Sequence, residues 1–365
     1  MLLSSWMSNN SLTSNRDFLP FAFKNMPKTT VTLKDIAQRL GLTIATVSKA
    51  LKDYPDISPL TKASVRKLAD EMHYSPNALA LKLRKKKTFV LGVIIPEIVH
   101  HFFSNVISGI IDMAEERGYN VLLTQSDESM EREIKEAKLL LSQRVDGLLI
   151  SLANNTDTVD HLKEFQEMEV PIVMFDKVNG SMGTSLVQVD DRNGAFLAVK
   201  HLIEGGRRRI AHIRGPIVPQ TANERHKGYC DAIEEAGLKT NPEYIRVCKD
   251  VTQQEGEEFT RQLLLLPEPP DAIFCITDLV AIGAMKAIKD AGYRIPEDIA
   301  LVGFSDWNIA AVVSPALTSV YQPGYEMGQQ ATRILVNEIE AKEAKLPVQH
   351  QSIVLKTELK IRASS

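Results

Sequence analysis

The sequence predicts an α/β protein in which a small helical N-terminal module precedes a core of two lobes, each built on a parallel sheet. From Thr88 onward, apolar runs of five to seven residues alternate with amphipathic helical stretches. This alternation is typical of repeated βα units, with helices on both faces of the sheet. The units are too numerous for one compact sheet, which indicates two lobes. Between Val31 and Tyr74 the chain instead has three short helical patterns.

The composition is that of a globular protein, with 44% hydrophobic and 24% charged residues among 365. No apolar run approaches the roughly 18 residues of a membrane span, and the first residues lack the basic segment of a secretory signal. Three cysteines, Cys230, Cys248 and Cys275, are widely spaced and odd in number. We therefore expect free thiols, no membrane partner and a cytoplasmic protein.

Charge is unevenly distributed along the chain. Pro27 to Val90 contains 13 lysines and arginines against five acidic residues, whereas the whole chain has a net charge of −3. A basic module joined to an acidic core indicates a polyanionic partner for the module alone. Residues 1–28 are polar and aperiodic, so we expect a disordered tail, with Met26 as an alternative translation start.

The three N-terminal helical patterns carry the start and stop signals of a helix-turn-helix motif. The first lies between a cap at Thr32 and a stop at Gly41, the second begins after Thr43, and the third follows Ser58-Pro59. Two short helices joined by a tight glycine turn and closed by a third form this motif. The alternative is a generic three-helix bundle. Against it, the outward positions of the second helix are small or hydrogen-bonding rather than fully charged: Ile44, Ala45, Thr46, Ser48 and Lys49.

The segment "YSPNALALKLRKKKT" joins the module to the core. We expect a two-turn helix over Asn77–Leu83, too short to be stable alone, and then a basic linker. A simple linker, a nuclear-localisation run and a membrane-surface helix are the alternatives; the alternating apolar residues disfavour the last. The predicted domains are thus a headpiece over 29–75, a hinge helix and basic linker over 76–88, and a core over 89–365.

The boundary between the lobes is expected where helical pattern is missing, between "PIVMFD" and "SLVQVDD". This places about 89–178 and 322–347 in the first lobe, with a late helix returning to it. The second lobe then comprises about 179–321 and 348–365.

Catalytic signatures are missing from the core sequence. It has no glycine-rich phosphate loop, nucleophile elbow or zinc-protease motif. His100-His101 is the nearest approach to a metal cue, but it lacks a carboxylate or thiol at ligand spacing. We therefore predict no catalytic residue, metal or cofactor. A cleft between two lobes, at the carboxyl ends of the strands, is then a binding site.

Several stretches, in this order and spacing, resemble the LacI/GalR family of bacterial transcription regulators: "VTLKDIAQRLGLTIATVSKAL", "YSPNALALKLR", "FFSNVISGI", "RRIAHIRGP", "ERHKGYCDAI", "TDLVAIGAMKAI" and "RIPEDIALVGFSD". The resemblance covers Val31 to Glu340. It implies a helix-turn-helix headpiece, a hinge helix and a two-lobed core like that of periplasmic sugar-binding proteins. It also implies a homodimer on a pseudo-palindromic operator in double-stranded DNA. A small-molecule effector, expected to be a carbohydrate, would control binding, with repression the commoner role.

The resemblance assigns DNA contacts to the second helix and its cap: Thr43, Ile44, Ala45, Thr46, Ser48 and Lys49. Ile44 and Ala45 stand at base-selecting places but are apolar, so contact with a thymine methyl is the physical alternative to hydrogen bonding. Thr46 and Ser48 match phosphate-anchoring hydroxyls. Lys49 stands where relatives often have arginine, and contacts with phosphate or guanine both remain open.

The hinge residues implied by the resemblance are Asn77, Ala80 and Leu83. Leu83 matches a wedge that enters a base step and kinks the duplex, and Ala80 keeps paired hinge helices close. The lysines 85–87 would lie beside backbone phosphates. The helix would then fold on binding to DNA.

The resemblance also implies effector contacts at Phe102, Phe103, Arg225, Thr277, Asp278, Ser305, Asp306 and Trp307. Arg225 matches a clamping arginine, with a surface ion pair as the alternative; one of the two phenylalanines is equally expected in the core. Thr277-Asp278 replaces the family's Asn-Asp, Ser305-Asp306 replaces a double Asp, and Val251 replaces an aromatic wall. These departures leave the effector's identity open. Trp307 beside Asp306 suits a carbohydrate, as a stacking surface next to a hydroxyl acceptor.

Two other classes remain as competitors. A stand-alone binding protein of the periplasmic type predicts a signal peptide and no basic headpiece, and an enzyme predicts a catalytic constellation. Two questions stay open: whether the effector weakens or tightens DNA binding, and whether the protein represses or activates transcription.

Overall fold

The computed structural model describes residues 31–74, 87–99 and 101–365. The described residues fall into two compact units, one over 31–74 and the other over 87–365.

The N-terminal unit is a three-helix headpiece formed by α1 (Leu33–Leu40), α2 (Ile44–Leu51) and α3 (Pro59–Glu71). Thr32 and Asp35 cap α1 reciprocally, and Gly41 ends it at φ 64°, a conformation that favours glycine. The three helices bury a small apolar core of Ile36, Ala37, Val47, Ala50, Val65 and Ala69. The caps and the three helices are the ones expected from the sequence, so the headpiece part of the fold prediction is confirmed.

The first sheet of the core is entirely parallel, with the strand order β11-β5-β4-β3-β1-β2. Its strands are β1 (Val90–Ile95), β2 (Asn120–Gln125), β3 (Gly147–Ile150), β4 (Ile172–Phe175), β5 (Ser185–Val189) and β11 (Ser352–Leu355). Helices α4 (His101–Glu116) and α11 (Gly324–Glu343) cover one face, and α5 (Met130–Ser142) and α6 (Lys163–Glu167) cover the other. Burial on both faces explains the continuous apolar runs of these strands.

The second sheet has the order β12-β10-β9-β8-β6-β7 and is parallel except for the edge strand β12. Its strands are β6 (Ile210–Arg214), β7 (Ile245–Val247), β8 (Ala272–Cys275), β9 (Ala300–Ser305), β10 (Thr318–Tyr321) and β12 (Glu358–Lys360). Helices α7 (Asp191–Glu204) and α8 (Gln220–Glu235) cover one face; α9 (Gln253–Leu264) and α10 (Asp278–Asp290) cover the other. Two doubly wound sheets confirm the predicted core.

The lobe boundaries expected from the sequence are wrong at two strands. β5 and β11 were assigned to the second lobe, but they pair with each other and with β4 in the first sheet. The chain therefore changes lobe after β5, again between β10 and α11, and finally between β11 and β12. The error arose because β4 and β5 are adjacent parallel strands joined by a short 3-10 turn, Gly180–Met182, where an α-helix is usual.

Glycines set the packing of α11 against α4 in the first lobe. A Cβ on Gly109 would lie 2.1 Å from the Tyr325 carbonyl oxygen, and one on Gly328 would lie 2.1 Å from that of Val106. Any side chain at these two positions would push the helices apart. The chain thus returns to the first lobe through a close helix pair.

Candidate functional site

The exposed face of α2 is small and poor in charge, as the sequence indicates. Thr43 accepts a hydrogen bond from the Thr46 backbone amide at 3.1 Å, and the two hydroxyls are 2.8 Å apart. Ile44 leaves half its surface exposed, and Ala45 beside it is also exposed. An exposed isoleucine at a helix N-terminus offers apolar contact where the helix meets another surface.

Lys49 on the same helix is not free in this structure. Its Nζ lies 2.6 Å from Asp56 Oδ2, and about half of each side chain is exposed. The hydrogen bond from Lys49 lowers the pKa of Asp56. Lys49 must therefore exchange Asp56 for any phosphate or base that it contacts.

Lys87, which the sequence places among lysines expected beside phosphates, is paired within the core in this structure. Its side chain is 11% exposed and Nζ lies 2.9 Å from Glu343 Oε1. Nζ also lies 5.2 Å and 5.1 Å from the ring centroids of Phe89 and Tyr119. Its charge is thus held against the first lobe. The other hinge and linker residues of the prediction, Asn77, Ala80, Leu83, Lys85 and Lys86, lie outside the described residues, as do Met26 and His100.

A cleft between the two lobes opens at the carboxyl ends of the strands, where an α/β sheet binds ligands. The empty volume of the cleft, including the part that is open to solvent, is about 880 Å³. Its polar walls come from residues at or just after strand ends: Glu97 after β1, Asp176 and Lys177 after β4, Thr277 and Asp278 after β8, Ser305 in β9 and Gln322 after β10.

Arg225 of α8 lines this cleft and is 6% exposed. Its Nε lies 2.7 Å from Asp191 Oδ1, its Nη1 donates to the Ile276 carbonyl at 2.8 Å, and its guanidinium carbon lies 3.7 Å from the Phe304 ring centroid. Within the described residues Nη2 has no hydrogen-bond partner. A surface ion pair, the alternative from the sequence, is excluded by this burial. Two of the five N–H donors of the guanidinium are thus used within the protein, which holds it rigidly, and both N–H groups of Nη2 remain.

Asp278 lies at the first turn of α10, and its carboxylate bonds to protein groups. Oδ1 accepts from Ser319 Oγ at 2.5 Å and Oδ2 from the Trp307 backbone amide at 2.6 Å. Burial raises the pKa of Asp278 to about 7, against the effect of these hydrogen bonds. Thr277 beside it caps α10, accepting from the Val280 amide at 3.4 Å. Asp278 therefore fixes the loop that carries Trp307.

Asp306 does not line the cleft, in contrast to the expectation from the sequence. Its Oδ1 lies 2.7 Å from Arg362 Nη2, on the side away from the cleft. Ser305 and Trp307, on either side of it, do line the cleft. Two adjacent positive φ angles, 110° at Ser305 and 47° at Asp306, account for this. They turn the Asp306 side chain out of the wall that its neighbours form.

The aromatic residues expected at the rim lie at the cleft wall and are also part of the core. Phe102 and Phe103 line the cleft, are 9% and 5% exposed, and form an edge-to-face pair at 5.3 Å. The core position expected for one of them is therefore found for both. Val251 lines the cleft in place of an aromatic side chain.

A polar cluster that sequence reasoning missed follows β4. Asp176 is buried with a pKa raised to about 6 by that burial, against the charge of Lys177. Lys177 contacts Glu128 and donates to Asn154 Oδ1 at 2.8 Å. The signal was present, because Asp176 directly follows an apolar strand, the position from which open sheets present ligand contacts.

Gln322 was also missed. It is 3% exposed, lines the cleft, and its Nε2 has no hydrogen-bond partner among the described residues. A buried unpaired donor costs free energy unless something accepts from it. A ligand oxygen would satisfy Gln322.

Other kinds of site are not found in the part of the chain that the structure describes. No three His, Cys, Asp or Glu side chains are grouped to hold a metal ion. No helix among the described ranges is long and apolar enough to cross a membrane. The three cysteines are free thiols.

Comparison with known proteins agrees with this arrangement. Residues 32–77 match the family described as bacterial regulatory proteins, lacI family, and 199–365 match a periplasmic binding protein-like domain. Catabolite control protein A of Priestia megaterium is 35% identical over 306 residues, which are 84% of this chain and 91% of that protein.

Two solved structures are similar over most of the chain. A lac repressor dimer bound to operator and the anti-inducer ONPF has a TM-score of 0.81 at 26% identity, covering 92% of this chain and 99% of that one. A complex of the transcriptional regulator CelR with cellobiose has a TM-score of 0.70 at 29% identity, covering 92% and 100%. The chain has the headpiece and the two-lobed core, and its similarity to known regulators extends over nearly their whole length. It therefore belongs to the lacI family of bacterial regulatory proteins.

Proposed function

We propose that the protein is a transcription repressor whose affinity for an operator is set by a small uncharged polyhydroxyl ligand in the interlobe cleft. The observation that carries this proposal is that one chain combines the exposed, charge-poor face of α2 with a polar cleft. None of the described residues that line the cleft is arranged as a nucleophile with its base, so we propose ligand binding and not catalysis.

On the DNA side, α2 would enter the major groove. Ile44 and Ala45, both exposed, would contact base edges, with the thymine methyl as the apolar partner. Thr43, Thr46 and Ser48 would anchor phosphates through their hydroxyls. Lys49, after it leaves Asp56, would add a phosphate or guanine contact.

The charge of the cleft favours a neutral ligand over a phosphorylated or acidic one. Asp176, Asp250 and Asp278 lie in its wall, while its two cations are already paired, Arg225 with Asp191 and Lys177 with Glu128. Among the described residues of the cleft, an added anion would meet carboxylates and no unpaired lysine or arginine.

Hydroxyl groups fit the donors and acceptors that remain. Among the described residues, Gln322 Nε2 and Arg225 Nη2 have no hydrogen-bond partner, and the Thr277 and Ser305 hydroxyls lie in the same wall. Trp307, Phe102 and Phe103 supply aromatic surface for the apolar face of a sugar ring. The cellobiose complex of a similar regulator supports this class of ligand.

Coupling of cleft and operator requires a second copy of the chain and the hinge. A homodimer would present two α2 helices to successive major grooves of a pseudo-palindromic site in double-stranded DNA. The similar lac repressor is a dimer bound to operator, which supports this arrangement. Asn77, Ala80 and Leu83, outside the described residues, are proposed as the hinge contacts, with Leu83 in the minor groove. Such a regulator acts in the cytoplasm, at the nucleoid.

The DNA side of the proposal is tested by substituting Ile44 with serine. The difference in binding free energy between specific and non-specific DNA should shrink by about 1–3 kcal/mol, the usual value of one base contact. Fluorescence anisotropy at one fixed salt concentration, with the upstream region of the protein's own gene and a scrambled duplex, measures this ratio. Leu60→Ser, which removes an equally apolar side chain 83% exposed on α3, is the matched control. An Ile44→Ser protein with the wild-type ratio would exclude α2 as the reading helix.

A further inference from the structure

The turn that carries Trp307 into the cleft wall is strained. β9 ends at Ser305, where φ is 110°, and Asp306 follows at 47°, so two consecutive non-glycine residues have positive φ. Such conformations cost about 1–3 kcal/mol each and persist only where surrounding contacts hold them. The position of Trp307 therefore depends on what fixes this turn.

From the cleft side, the turn is held by Asp278 and Ser319. Ser319 Oγ accepts from the Asp306 amide at 3.0 Å and donates to Asp278 at 2.5 Å. Asp278 also accepts from the Trp307 amide at 2.6 Å. These bonds fix the backbone of the turn but leave the Asp306 carboxylate unneutralised.

From the opposite side, the C-terminal tail holds the Asp306 side chain. Arg362 Nη2 lies 2.7 Å from Asp306 Oδ1, and Nη1 donates to the Leu317 carbonyl at 2.8 Å. Both side chains are largely buried, with 22% of Arg362 and 13% of Asp306 exposed. An ion pair this far from solvent is only weakly screened, and removing one partner leaves a buried charge.

The tail itself is anchored to β9 and β10. The Arg362 amide donates to Thr318 Oγ1 at 2.9 Å. Ser364 is fully buried, donates through Oγ to the Leu301 carbonyl at 2.6 Å, and accepts from the Thr318 amide at 2.8 Å. Arg362 is thus held in place through its backbone and its side chain. Neither Arg362 nor Asp306 lines the cleft.

We propose that Arg362 is a positioning residue for the ligand cleft: through Asp306 the C-terminal tail holds the strained turn over 305–307 and so sets the place of Trp307. This rests on the proposed function only in that Trp307 contacts the ligand. The tail is then part of the binding machinery, and its sequence matters for ligand affinity without any contact between tail and ligand.

Trp307 provides its own optical probe. The chain has two tryptophans, Trp6 and Trp307, so a Trp6→Phe background leaves Trp307 as the single emitter. In the full-length protein, Arg362→Met is compared with Arg117→Met. Arg117 is a matched control, since it is 26% exposed and pairs with Glu340 at 2.8 Å, away from the cleft.

The readouts are the emission maximum of Trp307, its quenching by acrylamide well below the unfolding temperature, and the thermal midpoint. Arg362→Met should shift the emission and raise the quenching constant severalfold, because the turn can leave its strained conformation. Arg117→Met should change the midpoint only. Wild-type emission and quenching in Arg362→Met, whatever its midpoint, would overturn the proposal, because a residue that only stabilises the lobe leaves the native environment of Trp307 unchanged.

Two further variants keep the inference testable. If Arg362→Met does not fold, Arg362→Lys keeps the charge but cannot hold both Asp306 and the Leu317 carbonyl, and the same optical change is expected. Trp307→Ala, titrated with cellobiose and neutral hexoses, separates the two claims. An optical effect of Arg362 with normal ligand binding by Trp307→Ala would refute Trp307 as a ligand contact and leave its positioning by the tail intact.

Discussion

Replacement of Arg225 separates two roles that the structure gives this side chain. It is the counter-charge of Asp191 inside the second lobe, and it offers Nη2 to the cleft. Arg225→Ala leaves the Asp191 carboxylate, 4% exposed, without a partner. Breaking a buried ion pair in this way costs about 3–5 kcal/mol, a fifth or more of the roughly 5–15 kcal/mol that stabilises a typical domain. The alanine variant therefore tests stability and not ligand binding.

Arg225→Lys tests ligand binding. Lysine keeps the charge beside Asp191, so the loss of stability should be much smaller than in the alanine variant. A single ammonium group, however, cannot at once serve Asp191, the Ile276 carbonyl and a ligand. We expect the lysine variant to bind operator as wild type does, but without the change in affinity that a cleft ligand causes.

Urea unfolding and operator anisotropy measure the two effects separately. Arg192→Lys is the control, since Arg192 also pairs doubly with a carboxylate of the second lobe, Asp231, at 2.6 and 3.0 Å, but on the surface. A wild-type urea midpoint for Arg225→Ala would refute the buried pair. A wild-type ligand response for Arg225→Lys would refute the role of Arg225 in the cleft.

Two further predictions concern charges outside the Arg225 pair. Asp56→Asn should free Lys49, tighten DNA binding and steepen its salt dependence by about one counterion, while stability changes little because the pair is half exposed; unchanged affinity and slope would show that Lys49 does not reach DNA. The pKa of Asp278 is about 7 in the folded protein and 3.8 for an ordinary aspartate, so the folded protein binds the proton more tightly than the unfolded chain does. The free energy of unfolding should then fall as pH rises from about 4 to 7, by up to ~1.4 kcal/mol per pH unit, and Asp278→Asn should flatten that fall; an unaltered profile in urea titrations would contradict it.

The sequence predicted most of the fold because local signals and the global fold agree. The cap pairs of the headpiece and the apolar runs of the core specify the elements directly. The positions of β5 and β11 were not predictable in this way. Which sheet a strand joins depends on pairing between distant residues, such as Leu186 with Ser352, that no local pattern encodes.

The sequence predicted which residues line the cleft better than it predicted what each of them does there. Arg225, Thr277, Ser305 and Trp307 do line one cleft. Asp306 does not, because the direction of its side chain follows from a backbone turn at positive φ that a non-glycine sequence does not announce. Partners such as Arg362, far along the chain, are visible only in the folded structure.

The central claim is that a ligand in the cleft changes the grip of the headpiece on DNA. It is tested most directly by the operator dissociation constant of the full-length protein, measured at fixed salt with and without a saturating neutral sugar. Cellobiose is the first probe, followed by other neutral mono- and disaccharides that raise the thermal midpoint. We predict that the sugar changes the operator dissociation constant by about 5–150-fold, the usual range of allosteric coupling, and that Arg225→Lys abolishes this change. The same operator dissociation constant with and without a sugar that saturates the cleft would contradict it.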